Sequence, residues 1–223
     1  MKTPAGDATT GNDATTGEDP PWLLWARELQ ALAQTGLAFS KDAYDLERYQ
    51  RIRALAAEMY ARGSDTPIER IRSLFAQDSG YATPKVDVRG AVFRDESILL
   101  VQEATDGGWT LPGGWADVNQ SPREGVEREI REESGYEARA IKLAGVYDFR
   151  RQGNPNPLPN SIYKIFFVCE LTGGEARTSF ETSAVDFFLP DRLPSLSLGR
   201  TNPAQIARMF AHWRDPALPA DFH

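Results

Sequence analysis

The chain has 223 residues, 41% hydrophobic and 26% charged, enough for one substantial core or for a core and a small satellite. Lys and Arg number 25 against 32 Asp and Glu, a formal charge of −7 with no basic run to follow a phosphate backbone, which argues against binding to long nucleic acid. The single cysteine, Cys169, excludes an internal disulfide and a multi-cysteine zinc site and reads as a buried thiol in a reducing compartment.

Residues 1–19, MKTPAGDATTGNDATTGED, are small, polar and slightly acidic. They lack the apolar centre of a signal peptide, and no later run reaches membrane-spanning length, so a disordered leader on a cytoplasmic protein with no membrane partner is expected. Residues 20–80 carry apolar positions at helical spacing: Trp25, Leu29, Leu32 and Ala33, then Ile52, Leu55, Ala56 and Met59, then Ile68, Ile71, Leu74 and Phe75. Three helices are predicted, with Gly36 and Gly63 as stops and Thr66-Pro67-Ile68-Glu69 as a capped start. Such a unit has a thin core and is expected to lean on the rest of the chain or on a second copy of itself.

Residues 81–223 change grain. Val86 to Phe93, Ser97 to Val101, Ala138 to Phe149, Ser161 to Leu171 and Val185 to Leu189 read as strands, with one helix at Pro122 to Ser134 between them. Another helix begins at Asn202-Pro203, with Ile206, Met209, Phe210 and Trp213 on one face. Strands before and after an interior helix predict an α/β domain with a mixed sheet flanked by helices. The Asn- and Pro-rich connection Arg151 to Asn160 is long enough to suggest a binding element.

The interior helix crowds Glu124, Glu127, Glu129, Glu132 and Glu133 onto one short element. Ser121, Pro122 and Glu124 predict a capping box, and Gly135 a left-handed end. At about 100° per residue, Glu129, Glu132 and Glu133 share a stripe beside the core-facing Val126 and Ile130. Gly125, one turn below, leaves approach to that stripe open. A solvated face laced by pairs such as Glu127 with Arg131 is one reading. Against it, Glu129 and Glu133 repel at i,i+4, and acids in the last turn oppose the helix dipole. A divalent cation would neutralise them, and oxygen-only ligands point to Mg²⁺ or Mn²⁺.

Gly114, Arg128-Glu129-Ile130, Glu132-Glu133 and Gly135-Tyr136 together resemble the Nudix box, with Gln120 where its first glutamate stands. The resemblance implies a Nudix α/β/α sandwich cleaving a nucleoside diphosphate linked to another moiety. It implies that Glu129, Glu132, Glu133 and the Gly114 carbonyl hold Mg²⁺ or Mn²⁺, with Glu129 and Glu133 catalytic and Arg128 orienting Glu129. Gln120 cannot supply a supporting negative charge, so weaker metal binding is expected, with Asp117 as a substitute. The helical segment WLLWARELQALAQTGLAFSKDAYDLERYQRIRALAAEMYA resembles the N-terminal domain of bacterial Nudix proteins similar to CDP-choline pyrophosphatases, which implies a homodimer.

Glu181, in the loop TSFETSA, is the candidate general base, and a solvated loop acid is the competing reading. Arg89 shares a strand face with Asp87 and reads either as a phosphate clamp or as a salt bridge within the sheet. Glu103 precedes the TDGG turn and is a candidate to face the site. Trp109 and Trp115 bracket LPGG, with Tyr147, Phe149 and Tyr163 near the cleft, as stacking candidates or core. Tyr44 and Tyr49 read as helix core or as reaching a neighbouring subunit's site, and His212 and His223 read as surface residues. Three functions are consistent: hydrolysis of CDP-choline or a similar diphosphate, hydrolysis of ADP-ribose or a nucleotide sugar, and a ligand-sensing regulator that binds DNA. The last is disfavoured, because the helical unit's arginines are interleaved with acids.

Overall fold

In the computed structural model, residues 19–152 and 160–223 are described; the leader and most of the Asn- and Pro-rich connection lie outside them. Three helices come first: α1 (Pro21–Phe39), α2 (Ala43–Ser64) and α3 (Ile68–Ala76). Then follow β1 (Lys85–Arg94), β2 (Ser97–Glu103), β3 (Trp109–Thr110), α4 (Pro122–Ser134), β4 (Tyr136–Asp148), β5 (Ile162–Gly174), β6 (Thr182–Phe188), α5 (Pro203–Arg214) and β7 (Asp221–Phe222). The two short strands β3 and β7 were not legible as strands.

The helical unit closes over Leu23, Ala26, Ala56, Ala57, Tyr60, Ile71 and Phe75. The sequence reading put Trp25 and Leu32 on the buried face of α1; they are 57% and 56% exposed. Apolar residues surround α1 on several sides, so its period alone does not select a face. Gly36 and Gly63 do not stop helices but lie inside α1 and α2. A side chain at either would strike the ring of Tyr49 or of Trp22 at 2.4 Å, so these glycines admit an aromatic neighbour. Thr66 does not cap α3, whose N-cap is Pro67; its hydroxyl pairs with Ser64.

Strands β4, β5 and β1 form the central layer, β1 and β5 parallel and β4 and β5 antiparallel, and β2 turns away from β1 to pair with β3 and β6. Alternation along β1 sends Val88 and Val92 to the face that packs under Val126 and Ile130 of α4. Ala91 and Phe93 face Ile206, Met209 and Phe210 of α5. The result is a sheet between helices, with the two cores on opposite faces. Both helix starts are capping boxes, at Ser121 and Asn202, and Gly135 ends α4 at φ 75°. Cys169 is buried, which pushes its thiol pKa up.

Candidate active site

Helix α4 meets the turn between β3 and α4 through its acids. Glu133 is 6% exposed and accepts a 2.8 Å hydrogen bond from the Gly113 N–H. Glu129 lies against the next residue, where a side chain on Gly114 would come within 3.2 Å of its carboxylate. Gly114 itself accepts from the Val88 N–H at 2.8 Å, which leaves one carbonyl lone pair. Burial pushes the Glu133 carboxyl up to about 7, against the pull of Arg89, and Glu129 is raised by burial against Arg128.

Glu132 turns away from its two neighbours. It is half exposed and pairs with Arg128 at 2.6 Å. Arg128 also reaches Glu129 and Asp117 at 2.9 Å and the Gln120 amide oxygen at 3.1 Å. The amide thus keeps the hydrogen bond that a carboxylate would make, without its charge. Glu127 pairs with Arg123 and accepts from the Ala140 N–H, not with Arg131 as its spacing suggested. Gly125 is buried against Val88, so it fits α4 to the sheet and opens no path to the acids. Among the described residues no three acidic, histidine or cysteine side chains already stand together as a metal-binding group. The oxygen-only set of Glu129 and Glu133 fits a hard divalent cation, and Glu132 joins it only by leaving Arg128.

Beside these acids opens a cleft of about 730 Å³, lined by Glu133, Gly113, Gly114, Asp87, Arg89, Glu103, Lys164 and Arg200. Alternation brings Asp87 and Arg89 to one face of β1, and parallel register sets Lys164 of β5 beside Asp87. Arg89 grips Asp87 with two bonds of 2.9 and 2.8 Å and donates to the Leu111 carbonyl at 3.0 Å. Burial opposes the Asp87 charge, but Arg89 and Lys164 outweigh it and hold its pKa below the usual range. Glu103 pairs with Arg200 at 2.9 Å, and burial still raises its carboxyl. Trp115, Phe149, Phe180 and Glu181 complete the lining.

A model of the NUDIX domain matches residues 83–210. This chain belongs to the Nudix family. It is a hydrolase of pyrophosphate bonds, in a family whose members use divalent metal ions. A second model, the UDP-X-like N-terminal oligomerisation domain, matches residues 20–75. This Nudix chain is 48% identical over 195 residues, 87% of it and 93% of the relative, to the Bacillus subtilis protein YjhB, which carries ADP-ribose pyrophosphatase as a provisional name. A solved UDP-X diphosphatase aligns over 91% of this chain and 98% of its own, at 33% identity and a TM-score of 0.59. An ADP-ribose pyrophosphatase from Streptococcus suis aligns over 63% of this chain and all of its own, at 40% identity and a TM-score of 0.58.

Of the Nudix residues singled out in the sequence, the cleft is lined by Arg89, Glu103, Gly114, Trp115, Glu133 and Glu181. Arg128, Glu129 and Glu132 do not line it; they form the ion-paired cluster adjoining Gly114. Tyr147 is not at the cleft: it packs on Phe166 and bonds Asp221. Tyr163 is on the other face of β5, and Trp109 packs on Phe188. His212 is not a surface residue. It is 1% exposed beneath Asp221, because β7 folds back over α5. Lys164 and Arg200 were missed. A lone lysine inside IYKIFFV was a usable signal; nothing around Arg200 marks it in the sequence.

Proposed function

We propose that this Nudix enzyme hydrolyses the diphosphate of a nucleoside diphosphate joined to a second moiety, with Mg²⁺ or Mn²⁺, giving a mononucleotide and a phosphorylated partner. The observation that carries this reading is that buried Glu133 and the fixed guanidinium of Arg89 line one cleft. The acid would suit a divalent ion, and the guanidinium beside it suits the phosphate charge. Glu129, Glu132 and Glu133, with the Gly114 carbonyl, would hold the ion. A bound divalent ion supplies charge neutralisation and a more acidic water.

The chain's own residues supply the rest. Arg128 holds Glu129 in orientation. Glu181, exposed at the cleft rim, accepts the proton of the attacking water; water bonds to one phosphorus and the bridging P–O bond breaks, its electrons leaving with the other phosphate. Arg89, already locked to Asp87, positions the diphosphate, Glu103 accepts from a substrate hydroxyl, and Trp115 stacks on the base. Among substrates, the ADP-ribose names of the Bacillus subtilis and Streptococcus suis relatives favour ADP-ribose over the CDP-choline reading drawn from the helical segment.

The likeness of residues 20–75 to an oligomerisation domain supports a division at residues 20–80 and 81–223 and a homodimer through the helical unit. Trp25, Leu32 and Phe39, spaced seven apart on α1 and 57%, 56% and 66% exposed, would be its contact stripe. The functional test is turnover of ADP-ribose, CDP-choline, CDP-ethanolamine and nucleotide sugars with Mg²⁺, with Mn²⁺ and in EDTA, products identified by chromatography. No turnover of any diphosphate with either ion would overturn the reading.

A further inference from the structure

We propose that Lys164 is a substrate-binding residue whose ammonium takes the phosphoryl group of the diphosphate that faces away from the acids of α4. The inference rests on the diphosphate reading above.

Lys164 is 3% exposed, in an apolar stretch of β5. A lysine that deep is seldom found without a compensating partner. Its nearby carboxylate is Asp87, at 3.7 Å, but Asp87 already takes both bonds of the Arg89 fork. Two cations therefore share one carboxylate, and the pair Asp87 with Arg89 would be balanced without the lysine. Within hydrogen-bond reach the ammonium has one described acceptor, the Arg200 carbonyl at 2.6 Å, with the Phe149 ring centroid at 5.3 Å. An ammonium has three donors. At least one donor of the ammonium is thus left at the wall of the cleft.

The other acids of the lining turn elsewhere. Glu103 and Asp106 both pair with Arg200, at 2.9 and 3.1 Å, rather than with Lys164. Glu133 faces Gly113. A diphosphate carries charge on both phosphorus atoms, and cations gathered at α4 serve the one beside them. Lys164 supplies a counter-charge for the other, and its burial makes that contact strong because water does not compete. A lysine present only to fill the sheet would be replaced by an uncharged residue of similar length with no change in phosphate affinity, and the test uses this.

The experiment compares the full chain with Lys164→Met, Lys164→Gln and Lys164→Arg. Steady-state kinetics are run on the diphosphate the wild type turns over best, and calorimetry of inorganic pyrophosphate in EDTA reads binding without metal. The expected result is that Lys164→Met raises KM and weakens pyrophosphate binding roughly tenfold or more, with kcat within about threefold. Lys164→Arg recovers most of the loss, and Lys164→Gln stays weak. Unchanged KM and pyrophosphate affinity in folded Lys164→Met would overturn the proposal, as would wild-type values in Lys164→Gln or a wild-type chain that takes up no pyrophosphate in EDTA. Should Lys164→Met fail to fold, Lys164→Gln carries the comparison. Failure of the functional reading looks different: no turnover by the wild type, with pyrophosphate still bound through Lys164.

Discussion

The Gly113 N–H points at Glu133 Oε2 from 2.8 Å, tying the turn after β3 to the last turn of α4. Gly113 reaches this position at φ +141°, where a Cβ would sit 2.0 Å from the Val88 carbonyl oxygen. One backbone bond therefore fixes a buried acid beside a turn that only glycine can make.

Gly113→Ala is expected to destabilise the fold by at least about 2 kcal/mol, since it adds both backbone strain and a clash. Denaturant unfolding measures it; a loss within about 0.5 kcal/mol would show that the turn relaxes freely.

Glu133 makes stability pH-dependent in a direction opposite to most carboxylates. Its folded pKa of about 7 lies above the ordinary 4.5, so the folded state binds the proton more tightly, and stability falls as pH rises through that window. Without divalent ions, unfolding at pH 8 is expected to be easier than at pH 5 by on the order of 2 kcal/mol, with Glu103 and Glu129 acting in the same direction. Glu133→Gln flattens this dependence and loses at least about 100-fold in kcat. Full turnover in that variant would remove Glu133 from the catalytic assignment.

Glu181→Gln separates the general-base role from that of a solvated rim acid. As the base, it is expected to lose roughly 100-fold or more in kcat with KM nearly unchanged. Wild-type kcat would return the role to another group.

Gln120→Glu adds a charge 3.1 Å from Arg128 Nε and competes with Glu129 and Glu132 for that guanidinium. Released in part, both acids become freer to bind metal. The ion concentration for half-maximal activity is expected to fall about two- to fivefold, the scale of a partly exposed pair. A rise in that concentration would contradict the account.

Trp25→Asp with Leu32→Asp is expected to shift the assembly from dimer to monomer by light scattering, leaving α1 folded because both side chains point outward. A variant dimer as tight as the wild type would place the interface elsewhere.

The local elements were readable because a few neighbouring residues set them. Helix α4 falls where Ser121, Pro122, Glu124 and Gly135 cap and end it, and β1, a mostly apolar run, is buried on both faces. The pattern from Gly114 to Tyr136 likewise carried the family. What depends on partners distant in the chain was not readable. Apolar residues on several sides of α1 left its buried face open until Tyr60 and Phe75 chose Leu23 and Ala26. Glu132 shares a helical stripe with Glu129 and Glu133, but Arg128 draws it outward. Sequence spacing fixes the direction a side chain leaves its own helix or strand; which charge meets it, as Asp87 meets Lys164 or Glu103 meets Arg200, is decided when separate elements pack and exclude water between them.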